Sequence, residues 1–187
     1  MLNIYNIETS NYVNGNGCRY VLWLQGCDLG CIGCWNQQSW SFENKILKSV
    51  DEVFTQIKSL EHKLDGVTFS GGEPFLQSSE LSQLAKLIKE KTLLDLHIFT
   101  GFNKDELIKK EQISLLKYTD ILVAGRYDDT KENNNQIVYI LNDSTDTWKF
   151  NNSDVEIEID EDSNIKITGY PTNKLINEIK GKNYARI

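Results

Sequence analysis

Proline is almost missing from this chain, with two in 187 residues, and no stretch reads as a flexible linker. A chain of this length fits one ordinary domain and can bury a sizeable core without staples. Long hydrophobic runs are also lacking. The N-terminal MLNIYNIETS pairs no basic region with an apolar run, and no later segment approaches the length that crosses a bilayer. The sequence therefore reads as a soluble, unprocessed, cytoplasmic chain. Positive charge is in deficit: 20 Lys and Arg stand against 27 Asp and Glu, for a net charge of −7. That balance repels a phosphate backbone and argues against a nucleic-acid partner. Cysteine is scarce too, at four copies, and three of them fall at Cys27, Cys31 and Cys34. This is no disulfide framework; in a reducing compartment such clustering points to metal binding or catalysis.

What the chain does have is an alternation of strands and helices. Residues 19–25 (RYVLWLQ) form a short apolar run suited to a buried strand, and the cysteine loop follows it. Over 49–63, Val50, Val53, Phe54, Ile57 and Leu60 fall at helical spacing. Strand 65–70 then ends in Gly71-Gly72. A second such unit pairs a helix over 78–92, capped by Ser78 or Ser79 and striped by Leu81, Leu84, Leu87 and Ile88, with strand 94–100. A third pairs a helix over 103–118 with strand 120–125. Strands alternating with helices over 19–125 imply right-handed crossovers and a mainly parallel sheet. Beyond a polar loop at 128–135, segments 136–141, 154–160 and 164–169 alternate like exposed antiparallel strands, with a hairpin turn at 160–164 and a closing helix over 172–180.

The cysteine spacing is C-x3-C-x2-C, interleaved with Gly26, Gly30 and Gly33. A structural zinc site takes four protein ligands in two pairs, and a fourth here would have to be Cys18, His62 or His97, none of which sits at a paired spacing. A cubane iron–sulfur cluster has four irons, so three thiolates leave one iron open to an exogenous ligand. Downstream, 70-SGGEP-74 ends a strand; its glycines let backbone carbonyls approach an ammonium closely, and Glu73 supplies negative charge. Read alone, that pentapeptide is also a plain strand-to-helix turn with Pro74 opening a helix.

Together these motifs resemble the radical S-adenosylmethionine (SAM) enzymes, whose cluster motif has this spacing in the loop after the first barrel strand and whose GGE motif receives the amino group of SAM. Within that superfamily the chain resembles the glycyl-radical-enzyme activating group, and particularly the anaerobic ribonucleotide reductase activating proteins. The similarity runs through Gly15, Gly17 and Arg19, Gly26-Cys27, Gly33-Cys34 with Asn36, 67-VTFSGGEPFLQ-77, Thr100-Gly101-Phe102, 120-DILVAGRY-127 and Asn135-Gln136, about residues 13–140. One departure stands at Asn14-Gly15-Asn16-Gly17, where activases open with Asp-Gly-Pro-Gly.

The resemblance implies an α/β fold, a partial (β/α) barrel with mainly parallel strands over 1–150, with 151–187 as a C-terminal hairpin and helix appendage of the same domain. It implies that Cys27, Cys31 and Cys34 hold a [4Fe-4S] cluster whose unique iron is chelated by SAM. Gly71, Gly72 and Glu73 would bind the methionine end, Thr100 and Gly101 would lie near the ribose, and Gly33 and Trp35 would border the adenine and methionine. The implied activity is reductive cleavage of SAM to a 5′-deoxyadenosyl radical, with a glycyl radical enzyme as protein partner and a one-electron donor such as flavodoxin. Alternatives are a peptide or small-metabolite target for the same chemistry, or a non-catalytic metal module. Trp35 also suits plain packing. His97 in its apolar strand reads as a core histidine, Cys18 as a small apolar packing residue and His62 as a solvated one. Arg19 either holds a carboxylate or phosphate of a partner or pairs at the surface, and the acidic run 154–162 reads as a solvated hairpin face.

Overall fold

Seven strands make the main sheet, in the order β3-β1-β2-β4-β5-β6-β7. They are β1 (Leu2–Asn11), β2 (Arg19–Leu24), β3 (Ile46–Lys48), β4 (Gly66–Gly71), β5 (Asp95–Thr100), β6 (Ile121–Ala124) and β7 (Ile137–Ile140). The computed structural model describes residues 1–128, 130–142, 155–159, 161–162, 165–169, 174–175, 178 and 184–186. Strands β2, β4, β5 and β6 are mutually parallel, as their alternation with helices requires, while β1, β3 and β7 are antiparallel to their neighbours. The result is a mixed α/β fold with a parallel centre, whose edges are β3 and β7.

Three helices supply the crossovers. α1 (Val50–Leu60) starts at a capping box in which Ser49 Oγ accepts from the Glu52 amide and Glu52 Oε2 accepts from the Ser49 amide at 2.7 Å. It buries Val53 and Ile57. α2 (Ser78–Lys91) buries Leu81, Leu84, Ala85 and Ile88. Neither Ser78 nor Ser79 caps it. The chain enters instead through a 3₁₀ turn, Pro74–Gln77, which Glu73 caps from the Phe75 amide, so α2 begins as a continuation of a turn already formed. The expected third helix is shorter: a 3₁₀ turn at Lys104–Glu106 precedes α3 (Lys110–Leu116). These helices cover the sheet face that carries Tyr20, Leu22, Leu24, Val67, Phe69, Leu96, Ile98 and Leu122, all buried in one core. The alternate residues, among them Trp23, Thr68, Ser70, His97 and Phe99, occupy the other face.

Arg19 corrects the reading that placed it at the surface or against a partner. Its side chain is fully buried at the N-terminal end of the parallel strands, opposite the cysteine loop. There it donates to Thr68 Oγ1 (2.6 Å), Asp95 Oδ1 (2.5 Å), the Val67 carbonyl (2.8 Å) and the Asn16 carbonyl (2.9 Å). A Cβ at Gly66 would meet its guanidinium at 2.5 Å, so the glycine is there to admit it. Asn14 belongs to the same cluster: it is buried, and its carbonyl accepts from the Thr68 hydroxyl at 2.7 Å. His97 is 1% exposed, as a core histidine should be, and burial together with the Arg19 charge lowers its pKa to about 2. Cys18 is buried and His62 is exposed, each as its sequence context suggests.

Strand β7 belongs to the main sheet. The later strands form a second, small sheet in which β9 (Ile165–Gly169) pairs antiparallel with β8 (Val155–Ile159) and parallel with β10 (Tyr184–Arg186). Polar contacts fasten it to β1: Lys166 Nζ lies 3.0 Å from Glu8 Oε1, and Asn11 Nδ2 donates to Thr168 Oγ1 at 3.3 Å. In the acidic run, Glu158 pairs with Lys166 at 2.8 Å. The 160–164 turn is described at 161–162 alone, and most of the helix expected over 172–180 lies outside the described residues.

Candidate active site

In-register parallel strands bring the ends of β2, β4, β5 and β6 to one side of the sheet, where ligands of open α/β sheets bind. The cysteine loop leaves β2 there through Gly26, at φ +102°, a left-handed conformation that glycine adopts without strain. Two backbone bonds close the loop on its own far end: the Gly26 amide donates to the Ser39 carbonyl (2.7 Å) and the Cys27 amide to the Trp40 carbonyl (3.1 Å). Cys27, Cys31 and Cys34 are half-buried free thiols. Leu29 donates its amide to the Cys27 sulfur; Asn36 through its amide and Trp40 through its side chain donate to that of Cys34. Burial nonetheless pushes the Cys27 thiol up to about 12 and raises that of Cys34, with neighbouring Glu73 and cysteine charges adding to the rise at Cys27. A cation placed among these sulfurs would reverse that balance and hold them as thiolates.

The Gly71-Gly72-Glu73 turn is laced to the start of the loop. The Gly72 amide donates to the Leu24 carbonyl (2.8 Å) and the Glu73 amide to the Gly26 carbonyl (2.9 Å). A Cβ on Gly71 would stand 2.4 Å from the Leu24 nitrogen, and one on Gly72 2.4 Å from the Gly26 oxygen. The glycines thus permit two backbones to touch. Glu73 itself is 1% exposed and points inward: Oε1 accepts from the Phe75 amide (2.9 Å) and the Thr100 hydroxyl (2.8 Å), Oε2 from the Gly101 amide (2.8 Å). Burial raises its pKa to about 7 against those three donors and the Arg126 charge.

Thr100 is buried, and Gly101 lies against the cysteine loop: a Cβ there would fall 2.4 Å from Leu29 Cδ1 and 3.8 Å from Cys31 Sγ. Trp35 is half-buried and Gly33 exposed, at φ +69°. Sequence reasoning missed Arg126, whose Nη1 donates to the Gly101 carbonyl, and Glu106, which Arg126 grips with both terminal nitrogens at 3.1 Å. Their signal was faint: a cation just after a strand-end glycine, with partners 20 and 25 residues away.

A family model described as a 4Fe-4S single cluster domain matches residues 13–143. The chain belongs to that family. It is 34% identical over 134 residues to the anaerobic ribonucleoside-triphosphate reductase-activating protein of Haemophilus influenzae, covering 67% of this chain and 84% of that one. To the protein of the same name from Enterobacteria phage T4 it is 30% identical over 131 residues, 68% and 82% of the two chains. To the pyruvate formate-lyase-activating enzyme of Staphylococcus aureus it is 29% identical over 182 residues, 93% of this chain and 60% of that one. This is a radical SAM enzyme, with a [4Fe-4S] cluster and SAM as its cofactors.

The donor set of this 4Fe-4S domain fits a cubane better than a single ion. Among the described residues no three His, Cys, Asp or Glu side chains converge to hold one metal ion. Cys18 sits at the other end of β2, His62 is exposed after α1, and His97 is locked beside Arg19. In a cubane each thiolate takes its own iron, so three loop sulfurs need not meet at a point. No helix among the described residues is long and apolar enough to cross a membrane.

Proposed function

We propose that Cys27, Cys31 and Cys34 hold the [4Fe-4S] cluster, and that the chain activates a glycyl radical enzyme such as anaerobic ribonucleotide reductase. The observation that carries this reading is the lacing of Gly72 and Glu73 onto Leu24 and Gly26, which makes the cysteine loop and the Gly71–Glu73 turn one rigid unit. When bound and reduced, such a cluster would supply the one electron needed for reductive cleavage of SAM and so the means of taking a hydrogen atom from the target. The chain's own residues bind and orient. With the Gly72 and Glu73 amides committed to the loop, the carbonyls of Gly71 and Gly72 receive the amino group of SAM, and buried Glu73 lends its charge from behind. Thr100 and Gly101 would lie near the ribose, while Gly33 and Trp35 would border the adenine and methionine. The names of the relatives, each an activating protein or enzyme, support a protein target.

We read the sheet as a partial barrel of the radical SAM kind and 151–187 as an appendage of the same domain, a reading supported by the contacts of Lys166 with Glu8 and of Thr168 with Asn11. The setting is anaerobic cytoplasm with a flavodoxin-like donor. The Asn14–Gly17 run, which departs from the activases' Asp-Gly-Pro-Gly, lies in the Arg19 cluster at the far end of the strands and gives no support to a different target. Anaerobic reconstitution with iron and sulfide tests the reading: electron-paramagnetic resonance of the reduced protein should change on adding SAM, and 5′-deoxyadenosine should accumulate. Adding an anaerobic ribonucleotide reductase should then produce a glycyl radical signal. Active SAM cleavage with no such signal would refute the target; a cluster indifferent to SAM would refute the chemistry.

A further inference from the structure

We propose that Arg126 is a positioning residue for the Cys31 corner of the site, acting through the backbone of Gly101, an assignment that rests on the SAM-cleaving reading above. Gly101 is held through both of its flanking peptide groups, by a carboxyl on one and a guanidinium on the other. Its N–H donates to Glu73 Oε2 at 2.8 Å, and its carbonyl accepts from Arg126 Nη1. Arg126 is itself aimed: Nη1 and Nη2 fork onto the two oxygens of Glu106, both at 3.1 Å, and the guanidinium lies 5.1 Å above the Phe102 ring. Glu106 in turn is fixed by the Asn103 amide at 2.5 Å. The guanidinium is required because it can grip a carboxylate bidentately and still donate to a carbonyl, which an ammonium cannot.

Gly101 matters because the cysteine loop rests on it, with Leu29 and Cys31 Sγ within 4 Å of where a Cβ would stand. Two residues beyond Arg126, Asp128 pairs in a parallel bridge with Ile32, the residue after Cys31. The segment leaving β6 therefore meets the Cys31 region twice, once through Gly101 and once through Ile32. Arg126 and Glu106 are 36% and 39% exposed, so their ion pair adds little to folding stability; its effect is on orientation.

Two readouts test this, and the first needs no cluster. In the apo chain, hydrogen exchange of the amides over 100–103 and 29–32 should quicken by about tenfold in Arg126→Gln, as expected when a fixed turn loses one of its two anchors. Reconstituted Arg126→Gln should keep wild-type iron content while kcat for SAM cleavage falls roughly 10- to 100-fold, with KM nearly unchanged, the range seen when groups supporting a site's ligands are removed. Arg126→Lys should recover part of the loss. Wild-type exchange in Arg126→Gln would overturn the proposal, as would a rise in KM alone, which would mark a direct ligand contact. Should Arg126→Gln fail to fold, Glu106→Gln and Arg126→Lys carry the same exchange test. If the wild-type protein fails to cleave SAM, the functional reading falls, while the exchange result still decides whether Arg126 sets the Gly101 turn.

Discussion

Glu73 links the stability of this fold to the electrostatics of its site, and the link has a sign that can be measured. Its carboxyl is 1% exposed, and burial raises its pKa from 4.5 to about 7. Because the folded value lies above the unfolded one, the fold favours the neutral acid; that contribution is complete below about pH 4.5 and is lost as pH rises through about 7. The displacement is worth about 3 kcal/mol by pH 8. The neutral form is well accommodated, since its hydroxyl can donate to Thr100 Oγ1 while the amides of Phe75 and Gly101 keep acceptors. In Glu73→Gln the carboxamide keeps one oxygen but turns an NH₂ toward the Gly101 amide, and that unpaired donor costs about 1–3 kcal/mol at every pH. Anaerobic urea denaturation of the apo chain from pH 5 to 8.5 is the assay. Wild type should exceed Glu73→Gln at pH 5, and the gap should close or invert by pH 8; contributions from His97 are common to both proteins and cancel in the difference. Parallel curves would refute the reasoning. Affinity for SAM should run the other way, weakening about tenfold per pH unit below 7 if the ammonium requires the anion.

Three further outcomes follow from geometry already described. Gly72→Ala drives a Cβ to 2.4 Å from the Gly26 carbonyl, whereas Gly30→Ala meets open space at φ +61°. The first should cost about 1–3 kcal/mol and lower iron uptake on reconstitution; the second should cost about 1–2 kcal/mol of backbone strain and take up iron as wild type does. Asp95→Ala leaves the fully buried Arg19 without its carboxylate, so urea denaturation should show a loss of about 3 kcal/mol, with kcat/KM per folded molecule unchanged because the cysteine loop lies at the far end of the strands. His97, held neutral with its pKa lowered to about 2, contributes stability that is present above pH 6.5 and lost as pH falls. Wild type should lose about 2 kcal/mol from this group between pH 6.5 and 5, and His97→Gln should remove that slope.

The parallel strands were legible because each is a short apolar run buried on both faces, and α1 and α2 because their stripes have helical period. β1 was not, for a physical reason. Asn6, Glu8 and Ser10 break the alternation begun by Leu2 and Ile4, and its pairing with β2 shifts register twice, so its strand character comes from a partner rather than from its own pattern. Arg19 was misjudged on similar grounds. A charge at a strand start looks solvated until Thr68 and Asp95, 49 and 76 residues away, are brought against it. α2 has no serine cap, because it continues from the 3₁₀ turn that Glu73 caps, so the turn that closes the site also starts the helix. The thiols and the Gly71–Glu73 turn were visible as types at spacings; the inward aim of Glu73 and the grip of Arg126 on Gly101 depend on groups meeting across two crossovers, from β4 to β5 and from β5 to β6.

That dependence bears on how variants of this site must be read. The amides of Gly72 and Glu73 anchor the cysteine loop, while the Glu73 side chain anchors Thr100 and Gly101, on which Cys31 and Leu29 rest. A change in the Gly71–Glu73 turn therefore reaches the thiols by two routes, through backbone on the Gly26 side and through side chains on the Gly101 side. Loss of iron in such a variant does not show that the turn ligates anything, and loss of SAM affinity does not show direct contact. The routes separate at Glu73→Gln, which keeps both backbone bonds and disturbs the Gly101 amide alone. It should retain full iron while weakening SAM affinity. An iron loss in Glu73→Gln equal to that of Gly72→Ala would mean that the Gly101 support, and not the backbone lacing, is what holds the cysteine loop in place.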